Sequence, residues 1–331
     1  MKVLVAGAGG FLGTAVVRAL AERGTEVVGL VRRPAQRSAV VAAGGTPVLG
    51  DVLVPASLGR ASAGCGAIVH LASSPVGEPS GTRGAERVRI EGAHNLVRAA
   101  RAEGVRRLVV GSGYWVYRGG PGVLTESSPL DPRGESRINF EAERAGLAGG
   151  ASGVLEVLVV RPGMVYGDGS WFRPIRDAVL GGTYRVIEDG ANRWSFVALP
   201  DAGAAFARLV ADGAPGEVYN VSDGRPAPWR EFARFVADRL QRPAPGRISL
   251  GDAAHEYGAE VAHHLAADRA ISPAKLESLG WRPRYASFRE GVAALLEEMA
   301  PLGPEVPPHR STDDREGAAE RTGAGGPDRF T

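Results

Sequence analysis

Residues 3–13 read Val3-Leu4-Val5-Ala6-Gly7-Ala8-Gly9-Gly10-Phe11-Leu12-Gly13, and the order of residue types in this stretch decides the fold. The apolar run 3–6 has the length of a buried strand and passes without a break into glycines at positions 7, 10 and 13. Residues 14–23 then place Val16, Val17, Leu20 and Ala21 on one helical face and stop at Gly24. In a strand, glycine turn and helix in that order, the glycines permit a tight turn and close approach of a pyrophosphate. The unpaired N–H groups at the helix start receive its charge. The spacing is GxxGxxG, since a GxGxxG register fails at Leu12. Gly7, Gly10 and Gly13, with Phe11 and Leu12 between them, are therefore expected to hold a dinucleotide.

Further strands are expected at 26–31, 46–49, 67–71, 107–111 and 155–160, with a helix at 85–102. Strands alternating with helices imply right-handed crossovers and an α/β fold, a doubly wound parallel sheet of the Rossmann type. Beyond it come a helix at 171–180 and, across 195–210, a strand followed by a helix begun near Asp201. A strand at 217–221 and an amphipathic helix at 228–240, with Trp229, Phe232, Phe235 and Val236 on one face, complete the pattern. The expected organisation is a dinucleotide-binding domain over 1–165, completed by about 195–221, and a smaller C-terminal substrate-binding lobe from 166–194 and 222–300. Residues 301–331, rich in Pro, Gly and charge, are expected to be disordered. There is no internal repeat.

At 331 residues and 44% hydrophobic content the chain is long enough to bury a sizeable core. A net charge of +2 offers no reason to expect nucleic acid or a membrane surface as partner. The single cysteine, Cys65, excludes an internal disulfide framework and suits a reducing compartment, so a cytoplasmic protein, monomer or homodimer, is expected. The N-terminal apolar run reads as a strand and not as a signal peptide, and no stretch approaches a membrane span. His263 and His264 are adjacent, but nothing around them has metal-ligand spacing, and no metal is expected.

A site preferring NAD places a carboxylate at the end of the second strand, yet residues 27–50 contain no Asp or Glu. Arg32 and Arg33 stand there instead, and a guanidinium pairs with the 2′-phosphate of NADP. NADP(H) is thus expected over NAD(H). By this point the chain resembles the extended and atypical short-chain dehydrogenase/reductases, the NAD-dependent epimerase/dehydratase family, over about residues 1–295. The resemblance is carried by the glycine turn, Gly50-Asp51-Val52, Ile68-Val69-His70-Leu71-Ala72, Val116-Tyr117, Arg161-Pro162-Gly163-Met164-Val165-Tyr166-Gly167, Tyr219-Asn220-Val221 and the segment Lys275 to Trp281. It implies that Asp51 and Val52 face the adenine, that Leu71, Ala72 and Ser73 line the cofactor groove, and that Pro162, Gly163 and Val165 run past the nicotinamide.

The departures from the family pattern carry equal information. The only lysines are Lys2 and Lys275, so no register restores the tyrosine and lysine four apart that the family uses for proton transfer. Matching Val116-Tyr117 to the family's Val-Tyr-Gly puts Gly113 at the usual serine or threonine, with Ser112 one place early. Matching Ala142-Glu143 to the catalytic helix puts Glu135 at the tyrosine and Asn139 at the lysine, and the helix asparagine falls near Arg89. Ser112, Tyr114, Tyr117 and Glu135 are the remaining candidates for a proton donor, and Tyr114 and Tyr117 serve equally as an aromatic wall. Trp171, Phe172 and Trp194 are candidates for stacking on a substrate.

Triad loss also resembles ketoreductases of angucyclinone-type aromatic polyketides in antibiotic pathways, and the arginine- and alanine-rich composition suits a high-GC genome. The expected activity is reduction by NADPH of a small-molecule carbonyl compound, assisted by the substrate's own phenol. The alternatives are a nucleotide-sugar epimerase or dehydratase and a non-catalytic NADP-binding sensor.

Overall fold

Alternate residues of the first strand leave in opposite directions, and both destinations are apolar. Val3 and Val5 join a cluster containing Val16, Val17 and Phe206, whereas Leu4 and Ala6 join one containing Leu58, Leu96 and Val159. Burial on both faces is why this strand is apolar throughout instead of alternating. A computed structural model of the chain describes residues 1–73 and 81–299, and the 301–331 segment expected to be disordered lies outside the described residues.

The chain forms Lys2–Ala6 (β1), Glu26–Val31 (β2), Thr46–Leu49 (β3), Ala67–His70 (β4), Arg107–Gly111 (β5) and Glu156–Pro162 (β6). Short segments follow at Met164–Tyr166 (β7), Arg185–Ile187 (β8), Arg193–Trp194 (β9) and Phe196–Ala198 (β10), then Val218–Val221 (β11), Ala227–Pro228 (β12) and Gly246–Ile248 (β13). Seven strands pair in the order β11-β6-β5-β4-β1-β2-β3, every pair parallel. From β1 the chain winds outward to β3, then returns to β4 on the other side and winds the opposite way. The reversal between β1 and β4 opens a crevice at the strands' carboxyl ends. Gly7 closes β1 there, facing Leu71 and Ala72.

Three two-stranded ribbons lie outside this sheet: β7 with β10, β8 with β13, and β9 with β12. Their packing is aromatic. Phe196 and Phe232 stack at 4.7 Å between centroids, and Phe288 packs against both. Trp229 and Phe232 come from the amphipathic helix, observed as Trp229–Arg239, and the helix expected from residue 171 starts at Phe172.

Two helices differ from the pattern read along the chain. The first spans Phe11–Glu22, opening three residues early because Gly10 is its N-cap and Gly13 lies within its first turn. The expected helix at 85–102 is interrupted: Gly81–Glu86 leads into a π-helical turn, Arg87–Glu91, before Gly92–Ala102 resumes. The wider turn points Arg89 inward, where it donates to the Gly111 carbonyl at the end of β5. Such turns interrupt α-helices preferentially at functional sites.

Candidate active site

A cleft of about 1000 Å³ runs from the glycine turn to the ribbons. At its β1–β4 end it is lined by Gly7, Gly10, Phe11, Arg32, Arg33, Asp51, Val52, Leu71, Ala72 and Ser73. Gly7 has φ +89°, and a Cβ there would sit 2.7 Å from the Ala72 amide nitrogen. A Cβ on Gly13 would lie 2.1 Å from the Gly7 carbonyl oxygen. No side chain caps the helix at Gly10, so backbone N–H groups face the cleft at its positive end. This cradle fits a pyrophosphate. Leu12 and Gly13 do not line the cleft; Leu12 packs on the core and Gly13 holds turn and helix together.

Arg32 and Arg33 are exposed on the rim where β2 ends, and the Arg33 N–H donates to Gln36 Oε1 at 3.1 Å. Asp51 lines the cleft and also builds its own turn, its Oδ1 accepting the Leu53 N–H at 2.9 Å. Asn95 Nδ2 donates to the Val52 carbonyl at 2.7 Å, tying that loop to the helix behind it. His70, at the end of β4, is fully buried and bonds the Arg89 carbonyl through Nε2 at 3.0 Å. Burial and the neighbouring Arg89 push its pKa down to about 3, so it is a neutral strut.

The other half of the cleft is aromatic. Four of the five tryptophans line it, Trp115, Trp171, Trp194 and Trp229, with Tyr184, Tyr257, Ile175, Ile187, Val261 and Leu265. Trp171 is fixed by its indole N–H, which donates to the Val165 carbonyl at 2.6 Å, and the rings of Trp194 and Trp229 lie 4.0 Å apart. Phe172 is fully buried and packs beneath them. Met164 lines the cleft, while its neighbours Pro162, Gly163 and Val165 do not. A Cβ on Gly163 would be 2.4 Å from the Ser195 carbonyl oxygen, so this residue packs against the adjacent segment.

Three of the candidate proton donors, Ser112, Tyr114 and Tyr117, do not line this space. Tyr114 and Tyr117 are buried and do not line the cleft. The Tyr117 hydroxyl donates to Asn220 Oδ1 at 2.8 Å, and the Arg161 guanidinium lies 4.9 Å over its ring. Burial raises the pKa of both phenols, which weakens them as acids. Ser112 Oγ is buried with no partner among the described residues. Glu135 opens the helix Glu135–Gly150; its side chain lies outside what is described. Further along that helix, Glu143 receives both Nε (2.9 Å) and Nη2 (2.6 Å) of Arg161, a bidentate pair with side chains 2% and 4% exposed. Burial opposes the Arg161 charge, but Glu143 outweighs it and holds the guanidinium above its ordinary pKa.

Trp115, Tyr184, Tyr257, Val261 and Leu265 were not legible as site residues. Trp115 sits between the two candidate tyrosines on a 3-10 turn, Tyr114–Val116, and stacks on His264 at 5.2 Å. In a turn of three residues, positions 114 and 117 fall on one side and 115 on another. Among the described residues no cluster of His, Cys, Asp and Glu suits a metal, and no helix is long and apolar enough to cross a membrane.

A model of the NAD dependent epimerase/dehydratase family matches residues 3–222. The chain belongs to that family. A 3-diazoavenalumate denitrifying reductase of Streptomyces sp is 34% identical to it over 307 residues, covering 88% of this chain and 99% of the relative. A 4-hydroxy-2-methyl-3-oxo-4-farnesyl-3,4-dihydroquinoline-1-oxide ketoreductase of Stigmatella aurantiaca is 30% identical over 245 residues, 72% of this chain and 73% of the relative. Among solved structures, a dTDP-glucose 4,6-dehydratase of Streptomyces venezuelae with NAD bound superimposes with a TM-score of 0.77 at 26% identity, covering 90% of this chain and 96% of that one. This member of the epimerase/dehydratase family is an NAD(P)-dependent oxidoreductase.

Proposed function

We propose that this protein is an NADPH-dependent reductase of flat aromatic small molecules, acting without a proton donor from the polypeptide. The observation that carries this reading is the tryptophan wall. Among the residues lining the distal half of the cleft, Arg185 alone is charged, and it is already paired with Glu256 at 2.6 Å. A nucleotide sugar would bring a diphosphate into that half with no cation left to meet it, which disfavours an epimerase or dehydratase. A planar polycycle gains from ring faces and apolar area instead.

Bound in the cradle, reduced nicotinamide supplies a hydride; the protein's part is to align the acceptor carbon and exclude water. A ketone beside a phenol, as in angucyclinone-like polyketides of antibiotic biosynthesis, provides its own donor for the developing alkoxide, with a pKa near ~10. The denitrifying reductase among the relatives favours a second acceptor. An aryl diazonium that gains hydride at its ring carbon releases N₂ and needs no proton at all, so the missing tyrosine and lysine cost it nothing.

Both acceptors are tested by supplying NADPH deuterated at the transferring position with aromatic hydroxyketones and diazophenols. Label on a carbinol carbon supports the first and label on a ring carbon the second; firm NADPH binding with no label transferred supports a sensor. With the accepted substrate, Tyr114→Phe and Tyr117→Phe should each keep turnover within roughly tenfold, whereas losing a true general acid costs about 100- to 10,000-fold. Trp171→Ala should raise KM more than it lowers fold stability, whereas Trp194→Ala removes a ring only 1% exposed and should raise KM and also destabilise the fold by about 3–5 kcal/mol. Loss of stability with unchanged KM would make them core residues.

A further inference from the structure

We propose that Tyr184 reads an oxygen on the substrate edge farthest from the nicotinamide, so that the preferred substrates carry a hydrogen-bond acceptor at that end. This rests on the proposed aromatic reading of the cleft. Tyr184 lines the cleft immediately before β8. Its hydroxyl accepts the Trp229 indole N–H at 3.0 Å, and the two rings meet edge to face at 6.5 Å. Trp229 is itself held, its ring 4.0 Å from that of Trp194 and its backbone N–H donating to the Asn192 carbonyl at 2.9 Å. An indole nitrogen only donates, so this bond occupies the phenol as an acceptor and leaves its proton to be given elsewhere. Among the described residues no acceptor receives it. The neighbouring cation, Arg185, is engaged by Glu256.

The hydroxyl is part-buried in the cleft wall and its proton has no protein acceptor among the described residues, so a substrate oxygen that replaces water there takes the bond with no rearrangement of the wall. Burial raises the phenol's pKa, keeping it a donor at neutral pH. Tyr184 is a positioning residue in this role, selecting among polycycles by what their distal ring carries. A site that hydrogen-bonds a ligand group rejects the analogue lacking it more strongly than an apolar wall could.

The test uses the full chain saturated with NADP⁺ and three probes, 2-acetylnaphthalene and its 6-methoxy and 6-hydroxy derivatives, with binding followed by calorimetry. The wild-type protein should bind both oxygen-bearing probes about five- to tenfold more tightly than the parent, the size of one hydrogen bond. Tyr184→Phe should erase that preference while binding the parent unchanged, which also shows that the variant is folded. Retention of the preference in Tyr184→Phe, or an equal loss for all three probes, overturns the role of Tyr184 and leaves the aromatic reading intact. If none of the probes binds the wild type, both readings fall together.

Discussion

Glu143→Ala is expected to destabilise the protein by about 3–5 kcal/mol, because it leaves the Arg161 charge buried and without its carboxylate. The guanidinium cannot shed its proton to escape the cost, since even deep burial leaves an arginine cationic. Nor can it reach water: it lies in the sheet at the end of β6, under the ring of Tyr117. Thermal denaturation should show a midpoint lower by on the order of 10 °C. The matched control is Asp168→Ala, which removes an ion pair with Arg173 whose partners are both more than half exposed. That variant should melt with the wild type, as solvent screens such pairs. Equal behaviour of the two variants would mean that the Glu143–Arg161 pair does not anchor the helix Glu135–Gly150 to the sheet.

The second large effect concerns cofactor choice. Changing both Arg32 and Arg33 to alanine is expected to weaken NADPH binding about 10- to 100-fold, the loss of a charge-assisted bond to the 2′-phosphate, and to leave NADH binding within about twofold. Both side chains stand on the rim where β2 ends, and no carboxylate in residues 27–50 competes for a ribose hydroxyl. Titration of each cofactor against wild type and variant measures it. Equal affinity of the wild type for NADPH and NADH would remove NADP preference from the proposed function. Salt offers an independent check, because a bond between an exposed guanidinium and a phosphate weakens as ionic strength rises.

The sheet and the glycine turn that borders the cleft were legible because their causes are largely local. A strand buried on both faces is apolar through its middle, so runs such as residues 3–6 and 108–110 declare themselves without knowledge of what covers them. The glycine turn is equally local. Gly13 is required by a 2.1 Å contact with the Gly7 carbonyl inside the turn itself, whereas the 2.7 Å contact that requires Gly7 is with Ala72 after β4, so for Gly7 only its place in the glycine pattern is local. The absence of a tyrosine–lysine pair was also plain, since only two lysines exist to be placed.

What a sequence cannot show is which of two buried faces borders empty space. Trp194 and Phe172 are almost equally enclosed, yet one lines the cleft and the other packs below it. Trp115 faces the cavity and Tyr114 does not, although they are adjacent and similarly apolar, because a 3-10 turn separates them by a third of a revolution. The aromatic wall draws on residues from 115 to 265, and no spacing along the chain records that they meet. The sequence by itself determined the parallel sheet, the glycine turn after its first strand and the absence of a tyrosine–lysine pair, the first two written in local patterns and the third in the count of lysines. The tertiary structure alone decided the shape and chemistry of the substrate wall, because that wall exists only where ribbons and helices distant in sequence pack side by side.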